Sequence, residues 1–492
     1  MVVGLCVILY GGVSDLHARD PAGVETASTD GAPSTGEALA DEAPDDPYVA
    51  VRSHERSTSP GRRVSLGRHT SVQVNVDGQG MNIVGDAANE PSIAVDPSNR
   101  NRVAIGWRQF DTIASNFRQA GFGFSIDGGA SWSAGVIDPG VFRSDPVLDW
   151  DLSGTFFYNS LNAGFRCDVF RSQDAGATWD SGVTAFGGDK QWMAVDRSGG
   201  PGDGHVYAAW WPAGGCCFPD MFTRSSNGGA SFETPVEIGS GLRRGTISVG
   251  PDGAVYVVGH LPDDIGRIQV GKSTDASDAG ETAGFDTVVE VDLGGPIVRA
   301  AGPNPAGMLG QIWVVADPSD ADRVYVLASV DPEGPDPLDV HIARSTDGGA
   351  TWGPPVRVHD DPTDNGAWQW FGSLSVAPNG RLDAVWNDTR GDSEGFDSVV
   401  YYAFSEDGGL TWSANEPLTP AFDPLLGFPN QDKIGDYHET VSFDDFVDAA
   451  FAATFNGEQD VYHLRFTPRP EESFFADGFE SGDTSAWSSM IP

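Results

Sequence analysis

The chain has 492 residues, more than one simple domain holds unless that domain is a repeat or a large all-β architecture. Its 29 basic and 71 acidic side chains give a formal net charge of −42, and such a surface repels nucleic acid and anionic membranes. We therefore expect no nucleic-acid partner. The acidity serves solubility or salt tolerance, or else Ca²⁺ binds at clustered carboxylates, although the chain has no EF-hand-type loop. We expect no other cofactor and no protein-bound metal beyond that.

The first residues form a short apolar run, Val2 to Tyr10, followed by small and polar residues up to Ala18. This order is typical of a signal peptide, residues 1–18, and predicts a secreted or periplasmic protein. The run is too short to cross a bilayer, so we expect no membrane span. Residues 19–70 are rich in Ala, Pro, Ser, Thr, Asp and Glu without apolar periodicity, which predicts a disordered acidic linker.

The cysteines leave the disulfide pattern open. Cys6 lies in the predicted signal peptide, so Cys167, Cys216 and Cys217 remain, which predicts one disulfide and one free thiol in an exported protein. Cys167 can pair with either of the other two, or the adjacent pair can form a bridge. No second ligand pair lies at zinc spacing.

Seven similar units run from Val72 to Phe466, each with two apolar strands and a third strand. An Asp-rich turn follows the third strand in the first six units, in degraded form at Ser273 in the fourth, and the seventh unit has no such turn. Most of these turns are about 50 residues apart, and a four-stranded repeat of roughly 40–50 residues is typical of a β-propeller blade. We predict an all-β, seven-bladed β-propeller with four-stranded antiparallel blades over residues 71–466, with six blades as the alternative. The seventh unit lacks a fourth strand, which Val72 to Val84 can supply to close the ring.

Five of the turns share one motif. They read SIDGGASW from Ser125, SQDAGATW from Ser172, SSNGGASF from Ser225, STDGGATW from Ser345 and SEDGGLTW from Ser405. This is the Asp box, and over about four-fifths of its length the chain resembles the Asp-box (BNR) propellers of the sialidase-like superfamily. The resemblance implies that each turn lies between the third and fourth strands of a blade and has a structural role.

The loops that enter strand one or follow strand two lie on the face opposite the Asp-rich turns, around the central pocket, which is the default site of a propeller. Carboxylates, arginines and aromatic residues converge there from several blades. The candidate catalytic residues are Glu90, Asp111, Asp145, Asp436, Tyr437 and Glu439. The candidate substrate-binding residues are Arg108, Asp189, Lys190, Trp192, Arg243, Arg244, Trp370 and Arg390.

Sialidases of this fold use three arginines, a tyrosine nucleophile activated by a glutamate, and an aspartate acid/base. The resemblance implies Arg390 and Tyr437 for the third arginine and the tyrosine, Arg243 or Arg244 for the second arginine, and Asp111 or Asp145 for the acid. The first arginine of the family is replaced, because the equivalent stretch reads Asn89-Glu90-Pro91. Arg108 is the remaining candidate for that role.

Three functions are therefore compatible with the sequence. The first is a secreted module that binds glycan or protein in the central pocket, as a monomer. The second is a hydrolase or lyase on neutral or uronic polysaccharides, with a carboxylate pair drawn from Glu90, Asp145, Asp189 and Asp436 and with aromatic subsites at Trp192 and Trp370. The third is an exo-sialidase. Residues 467–492 form a separate acidic and aromatic tail of undefined role.

Overall fold

The computed structural model describes residues 46–51, 56–211, 215–239, 241–262, 264–285, 287–392 and 395–468. These residues form strands and connecting turns, and the strands assemble into a seven-bladed propeller of antiparallel sheets. The predicted fold class is confirmed. The predicted signal peptide and the start of the predicted linker lie outside the described residues, as do positions 469–492 of the predicted tail.

Blades 1 to 6 each consist of four strands that are consecutive in the chain. The strands are Ala87–Val95, Val103–Phe110, Gln119–Ser125 and Ser133–Ile137 in blade 1, and Arg143–Trp150, Phe156–Asn162, Cys167–Ser172 and Val183–Thr184 in blade 2. They are Asp189–Val195, Val206–Trp211, Asp220–Ser225 and Val236–Glu237 in blade 3, and Ile247–Val249, Val255–Leu261, Asp264–Ser273 and Thr287–Val291 in blade 4. They are Trp313–Ala316, Val324–Val330, Asp339–Ser345 and Val356–Arg357 in blade 5, and Gln369–Val376, Leu382–Asp388, Val399–Ser405 and Glu416–Pro417 in blade 6.

Blade 7 closes the ring with strands from both parts of the chain. Its strands Glu439–Ser442, Val447–Ala453 and Asp460–Phe466 continue into His69–Gln73 and then Arg63–Leu66. The closing strand therefore lies a few residues earlier than the predicted Val72 to Val84. Within that range Met81–Ile83 pairs instead with Thr58–Pro60, in a separate two-stranded sheet. The strands thus begin inside the range 19–70, for which a linker was predicted.

The Asp-rich turns join strands three and four and share one hydrogen-bond pattern. In blade 1 the Ser125 hydroxyl donates to Asp127 at 2.8 Å, and the Ser131 N–H donates to the same carboxylate oxygen at 2.9 Å. The following Trp132 ring packs edge-on against His463 of blade 7 at 5.3 Å. The turn thus closes on its own aspartate, or on Asn227 in blade 3, and in blade 1 the aromatic residue joins neighbouring blades.

Hydrogen bonds between neighbouring innermost strands surround the central channel. The Ser92 hydroxyl of blade 1 accepts the Leu148 N–H, Asp149 of blade 2 accepts the Val195 N–H, and the pattern recurs further round the ring. Glu439 of blade 7 completes the circle by accepting the Ile93 N–H at 2.9 Å. Polar side chains on innermost strands can therefore be structural, which matters for the assignment of the site.

The cysteine alternatives are resolved in favour of the adjacent bridge. Cys216 and Cys217 form a disulfide, and Cys167 is a buried free thiol. In the described part of the chain there is no helix of the length and apolarity that a membrane crossing needs.

Candidate functional site

One backbone feature recurs where each blade begins. A residue with positive φ stands at or shortly before strand one of all seven blades: Glu90, Asp145, Lys190, Arg244, Gly310, Phe371 and Gly435. In blades 1, 2, 3 and 6 the pairing register between strands one and two also shifts there, as in a β-bulge. Non-glycine residues adopt this left-handed conformation at a cost, so the surrounding structure must impose it. The strained positions of blades 1 to 4 all carry charged side chains.

These charges meet in one buried network, which we call the entrance cluster: Glu90, Arg108, Asp145, Asp189, Lys190, Lys433 and Asp436. Lys190 is its centre, because its Nζ lies 2.5 Å from Asp436, 3.6 Å from Asp145 and 3.7 Å from Asp189. The Asp436 carboxylate also contacts Lys433 at 3.1 Å and accepts the Met308 N–H at 2.7 Å. Three predicted carboxylates are thus held together by one lysine.

Glu90 lies on the blade 1 side of the cluster and is fully buried. Its carboxyl group is 3.1 Å from Arg108 Nε and 3.9 Å from Lys433 Nζ. Burial raises the pKa of Glu90 to about 8, with Arg108 opposing the shift and Asp436 and Asp145 adding to it. Arg108 Nε also donates a hydrogen bond to Asn89, in the stretch that replaces the arginine motif of the sialidases. Arg108 is therefore held by Glu90 and Asn89 and does not face the cavity as a substrate-binding arginine.

A cavity of about 80 Å³ opens beside the cluster, lined by Asp189, Lys190, Lys433 and Asp436 together with Trp211, Arg244 and Arg299. Arg244 stacks over Trp211 at 4.4 Å, and its buried Nε has no hydrogen-bond partner among the described residues. Burial and the neighbouring Arg299 lower the pKa of Arg244 to about 10. Two arginines therefore line one cavity, and the Arg299 charge disfavours the charged form of Arg244.

His260 lies near the same arginines. Burial, followed by the Arg244 charge, lowers its pKa to about 3. Arg243 lies further from the cavity, since it bonds the Pro262 carbonyl and faces Trp211 at 5.4 Å. We refer to Arg244, Arg299 and Trp211 as the arginine corner.

Arg299 and the loop that carries it were missed by sequence reasoning. The long connection into blade 5 reaches blade 7, where the Asn304 amide donates to the Gly435 carbonyl at 2.7 Å and accepts the Ile434 N–H. This loop forms one wall of the cavity through Ala306, Gly307 and Met308. The only available signal was the unusually long spacing between the turns at Ser273 and Ser345.

Tyr437 and Trp192 close the channel below the cluster and do not line the cavity. The two rings pack edge-on at 5.3 Å, and Trp192 meets Trp313 in the same way at 5.1 Å. The Tyr437 hydroxyl donates to the Pro146 carbonyl at 2.6 Å, and burial raises its pKa well above 10. A buried, hydrogen-bonded phenol of this kind is poorly placed to act as a nucleophile.

The remaining predicted residues lie away from the cavity. Asp111 pairs with Arg56 at 2.9 Å beside a different cavity in blade 1. Arg390 is bound by Asp388, Asp360 and Asp361 at the rim of blade 6. Trp370 is fully buried and donates to the Ser398 hydroxyl. Asp111, Arg390 and Trp370 therefore stabilise loops or blades and do not reach the entrance cluster.

Glu439 belongs to the channel on the other side of the Trp192 and Tyr437 rings. It lines a cavity of about 410 Å³ together with Asp149 and Arg197. The Ser92 hydroxyl and the Ile93 N–H both donate to one of its oxygens. Burial raises the pKa of Glu439 to about 8. Glu439 therefore links blade 7 to blade 1 and does not line the cavity beside the entrance cluster.

Glu439→Gln is expected to flatten the dependence of stability on pH. Because the folded pKa of about 8 exceeds the ordinary value of 4.5, the stability contributed by neutral Glu439 is complete below pH 4.5 and is lost as pH rises to about 8. Glutamine keeps the acceptor and stays neutral. Urea unfolding from pH 5 to 8.5 should show similar stability at pH 5 and a more stable variant at pH 8.5. Parallel profiles would contradict a neutral Glu439.

No group of three or more His, Cys, Asp and Glu side chains within the described ranges has an arrangement that could hold a metal ion. The entrance cluster is consistent with this, because lysine and arginine side chains occupy the space between its carboxylates.

No family model matches the chain, and no curated protein matches it. Similar solved structures include a protein of unknown function from Dyadobacter fermentans (13% identity, 83% of this chain and 99% of that one, TM-score 0.45). They also include the endosialidase of phage phi92 (8%, 84% and 70%, 0.43) and an α-L-arabinofuranosidase from Fusarium graminearum (16%, 56% and 92%, 0.34).

Proposed function

We propose that the protein binds a carbohydrate that carries an acidic group, at the cavity between the entrance cluster and the arginine corner. The observation that best supports this proposal is the strained backbone at Glu90, Asp145, Lys190 and Arg244. Four consecutive blades accept the same unfavourable conformation and bring a charged side chain to one place. Such strain concentrates at ligand sites, where the rest of the fold holds it in place.

The two sides of the cavity suggest the chemistry of the ligand. Arg244 and Arg299 would share an anionic group, which would relieve their mutual repulsion, since guanidinium groups bind carboxylates and sulfates through paired hydrogen bonds. Asp189 and Asp436 line the opposite side and would accept hydrogen bonds from sugar hydroxyls. A glycan with a uronate, sialate or sulfate group fits both sides.

Glycoside hydrolysis is the second candidate, because two carboxylates, Asp189 and Asp436, line the same cavity. The Asp436 carboxylate is already engaged by Lys190, Lys433 and the Met308 N–H, as expected of a group that organises the site. We therefore place binding first. Cleavage of a bound glycan that Asp189→Asn abolishes would move the conclusion to hydrolysis.

Arg299→Ala is expected to weaken binding of an acidic glycan at least about tenfold, a loss of about 1.4 kcal/mol. Arg299 is exposed, so the substitution should leave the fold intact. The test is an array of acidic and matched neutral glycans, followed by titration calorimetry of the best ligand with the full chain. Arg100→Ala, on the opposite face, is the matched control, and Tyr437→Phe should also retain binding. Equal affinity of Arg299→Ala and wild type would contradict the proposal.

A further inference from the structure

The disulfide between Cys216 and Cys217 lies close to the candidate site, and the proposed function does not use it. The two residues stand between strands two and three of blade 3. Cys216 is buried, whereas Cys217 is half-buried and has a positive φ. Because a bridge between adjacent residues closes the smallest possible loop, it restricts the unfolded chain very little. We therefore expect its effect to be local.

The bridge is joined to the segment that enters blade 3, residues 186–190. The Cys216 N–H donates to the Gly187 carbonyl at 3.1 Å. Three of the five residues in this segment have a positive φ, which persists at non-glycine positions only where the surroundings impose it. The segment delivers Lys190 to the aspartates of the entrance cluster. The bridge thus supports the strained backbone on which the centre of the cluster depends.

The bridge is also joined to the strand that carries the aromatic residue of the arginine corner. The Trp210 indole N–H donates to the Cys216 carbonyl at 3.2 Å. The next residue, Trp211, lines the cavity and faces Arg244 at 4.4 Å. Trp211 also pairs with Asp189 across strands one and two. One disulfide is therefore hydrogen-bonded to both segments of blade 3 that build the cavity.

We propose that the Cys216–Cys217 disulfide is a redox-sensitive positioning element, whose reduction loosens residues 186–190 and weakens binding of the acidic carbohydrate. The effect on binding rests on the proposed function. Without the bridge, the left-handed conformation of Cys217 is no longer imposed, and the hydrogen bond between Cys216 and Gly187 opens more often.

The reductant is a dithiol. One of its thiolates attacks the sulfur of Cys217, the more exposed residue, so that the bond to Cys216 breaks and the Cys216 sulfur takes up a proton. The second thiol of the reductant then displaces the Cys217 sulfur from the mixed disulfide, and this sulfur is protonated in turn. Two electrons and two protons pass to the bridge, which leaves two cysteine thiols and one oxidised dithiol.

The direct test is hydrogen exchange of the full chain, without a glycan, before and after reduction with dithiothreitol. Amide exchange in residues 186–190 and 215–220 should accelerate about tenfold, whereas the strands of blade 6 should exchange as before. Peptide mass spectrometry after alkylation shows whether both cysteines are reduced. Titration calorimetry with an acidic glycan should give an about fivefold higher dissociation constant for the reduced chain, since fewer molecules have an ordered site.

Two variants separate the bridge from its surroundings. The double variant Cys216→Ser and Cys217→Ser should exchange like the reduced wild type and should not respond to dithiothreitol. Its urea unfolding midpoint should lie close to that of the wild type, because the bridge restricts the unfolded chain little, and this excludes misfolding. Cys167→Ala removes the buried free thiol and should keep the full response to dithiothreitol.

Equal exchange of residues 186–190 in the oxidised and reduced chains would overturn the proposal. Faster exchange with an unchanged dissociation constant would overturn it as well, because the bridge would then not act on the site. If neither state binds an acidic glycan, the proposed function fails, and faster exchange on reduction still supports the positioning role of the bridge.

Discussion

Replacement of Lys190 by methionine is expected to destabilise the protein by about 3–5 kcal/mol near neutral pH. Lys190 Nζ lies within 3.7 Å of Asp145, Asp189 and Asp436 and is almost fully buried. Methionine fills a similar volume but leaves three acidic groups without their shared cation. The loss should be measured by urea unfolding at pH 7.5.

Two comparisons make this prediction specific to the charge of Lys190. Lys433→Met should cost less, because Lys433 Nζ lies 3.1 Å from Asp436 and 3.9 Å from Glu90, both longer than the 2.5 Å between Lys190 Nζ and Asp436. The penalty for Lys190→Met should also shrink as pH falls, since the three aspartates can then take up protons in place of the lost cation. A penalty under about 1 kcal/mol at pH 7.5, or one that does not change with pH, would show that the cluster does not depend on the Lys190 charge.

Removal of the N-terminal strands is expected to cause the second large loss of stability. A chain that starts at residue 74 lacks Arg63–Leu66 and His69–Gln73, so Asp460–Phe466 becomes an open edge. We expect a loss of at least about 5 kcal/mol from the missing strand contacts, together with aggregation through the exposed edge. A chain that starts at residue 46 should remain soluble.

The measurement is size-exclusion chromatography with thermal melting of both truncated chains. A start at residue 71, the boundary predicted from the sequence, would cut the closing strand and should behave like the shorter chain. If the chain from residue 74 elutes and melts like the chain from residue 46, closure by the N-terminal strand does not stabilise the ring.

The blades and their order were predictable from the sequence, because the Asp-rich turn marks the same point in five of them. The closing strand was placed a few residues late because His69–Gln73 alternates polar and apolar residues weakly, whereas the apolar residues of Val72 to Val84 suggested a strand. Pairing with Asp460–Phe466 is a long-range choice that local pattern does not report.

The site was predictable in part. The predicted place before strand one brought Glu90, Asp145, Asp189 and Lys190 into the list of candidates, and the structure places them in the entrance cluster. Sequence position could not show which way a side chain turns. The left-handed backbone directs Lys190 into the cluster. Glu439 begins strand one of blade 7 and bonds to blade 1 instead of joining the entrance cluster. Arg299 lies in an irregular loop, and only tertiary contacts bring it to the cavity.

The central claim is that an acidic glycan binds at the arginine corner, and a crystal structure of the full chain with the best array ligand tests it most directly. We predict electron density for the acidic group within hydrogen-bond distance of Arg244 and Arg299, with sugar hydroxyls facing Asp189 and Asp436. Density in the channel beside Arg197 and Glu439, or in the cavity beside Asp111, would contradict the account, because those positions lie outside the entrance cluster.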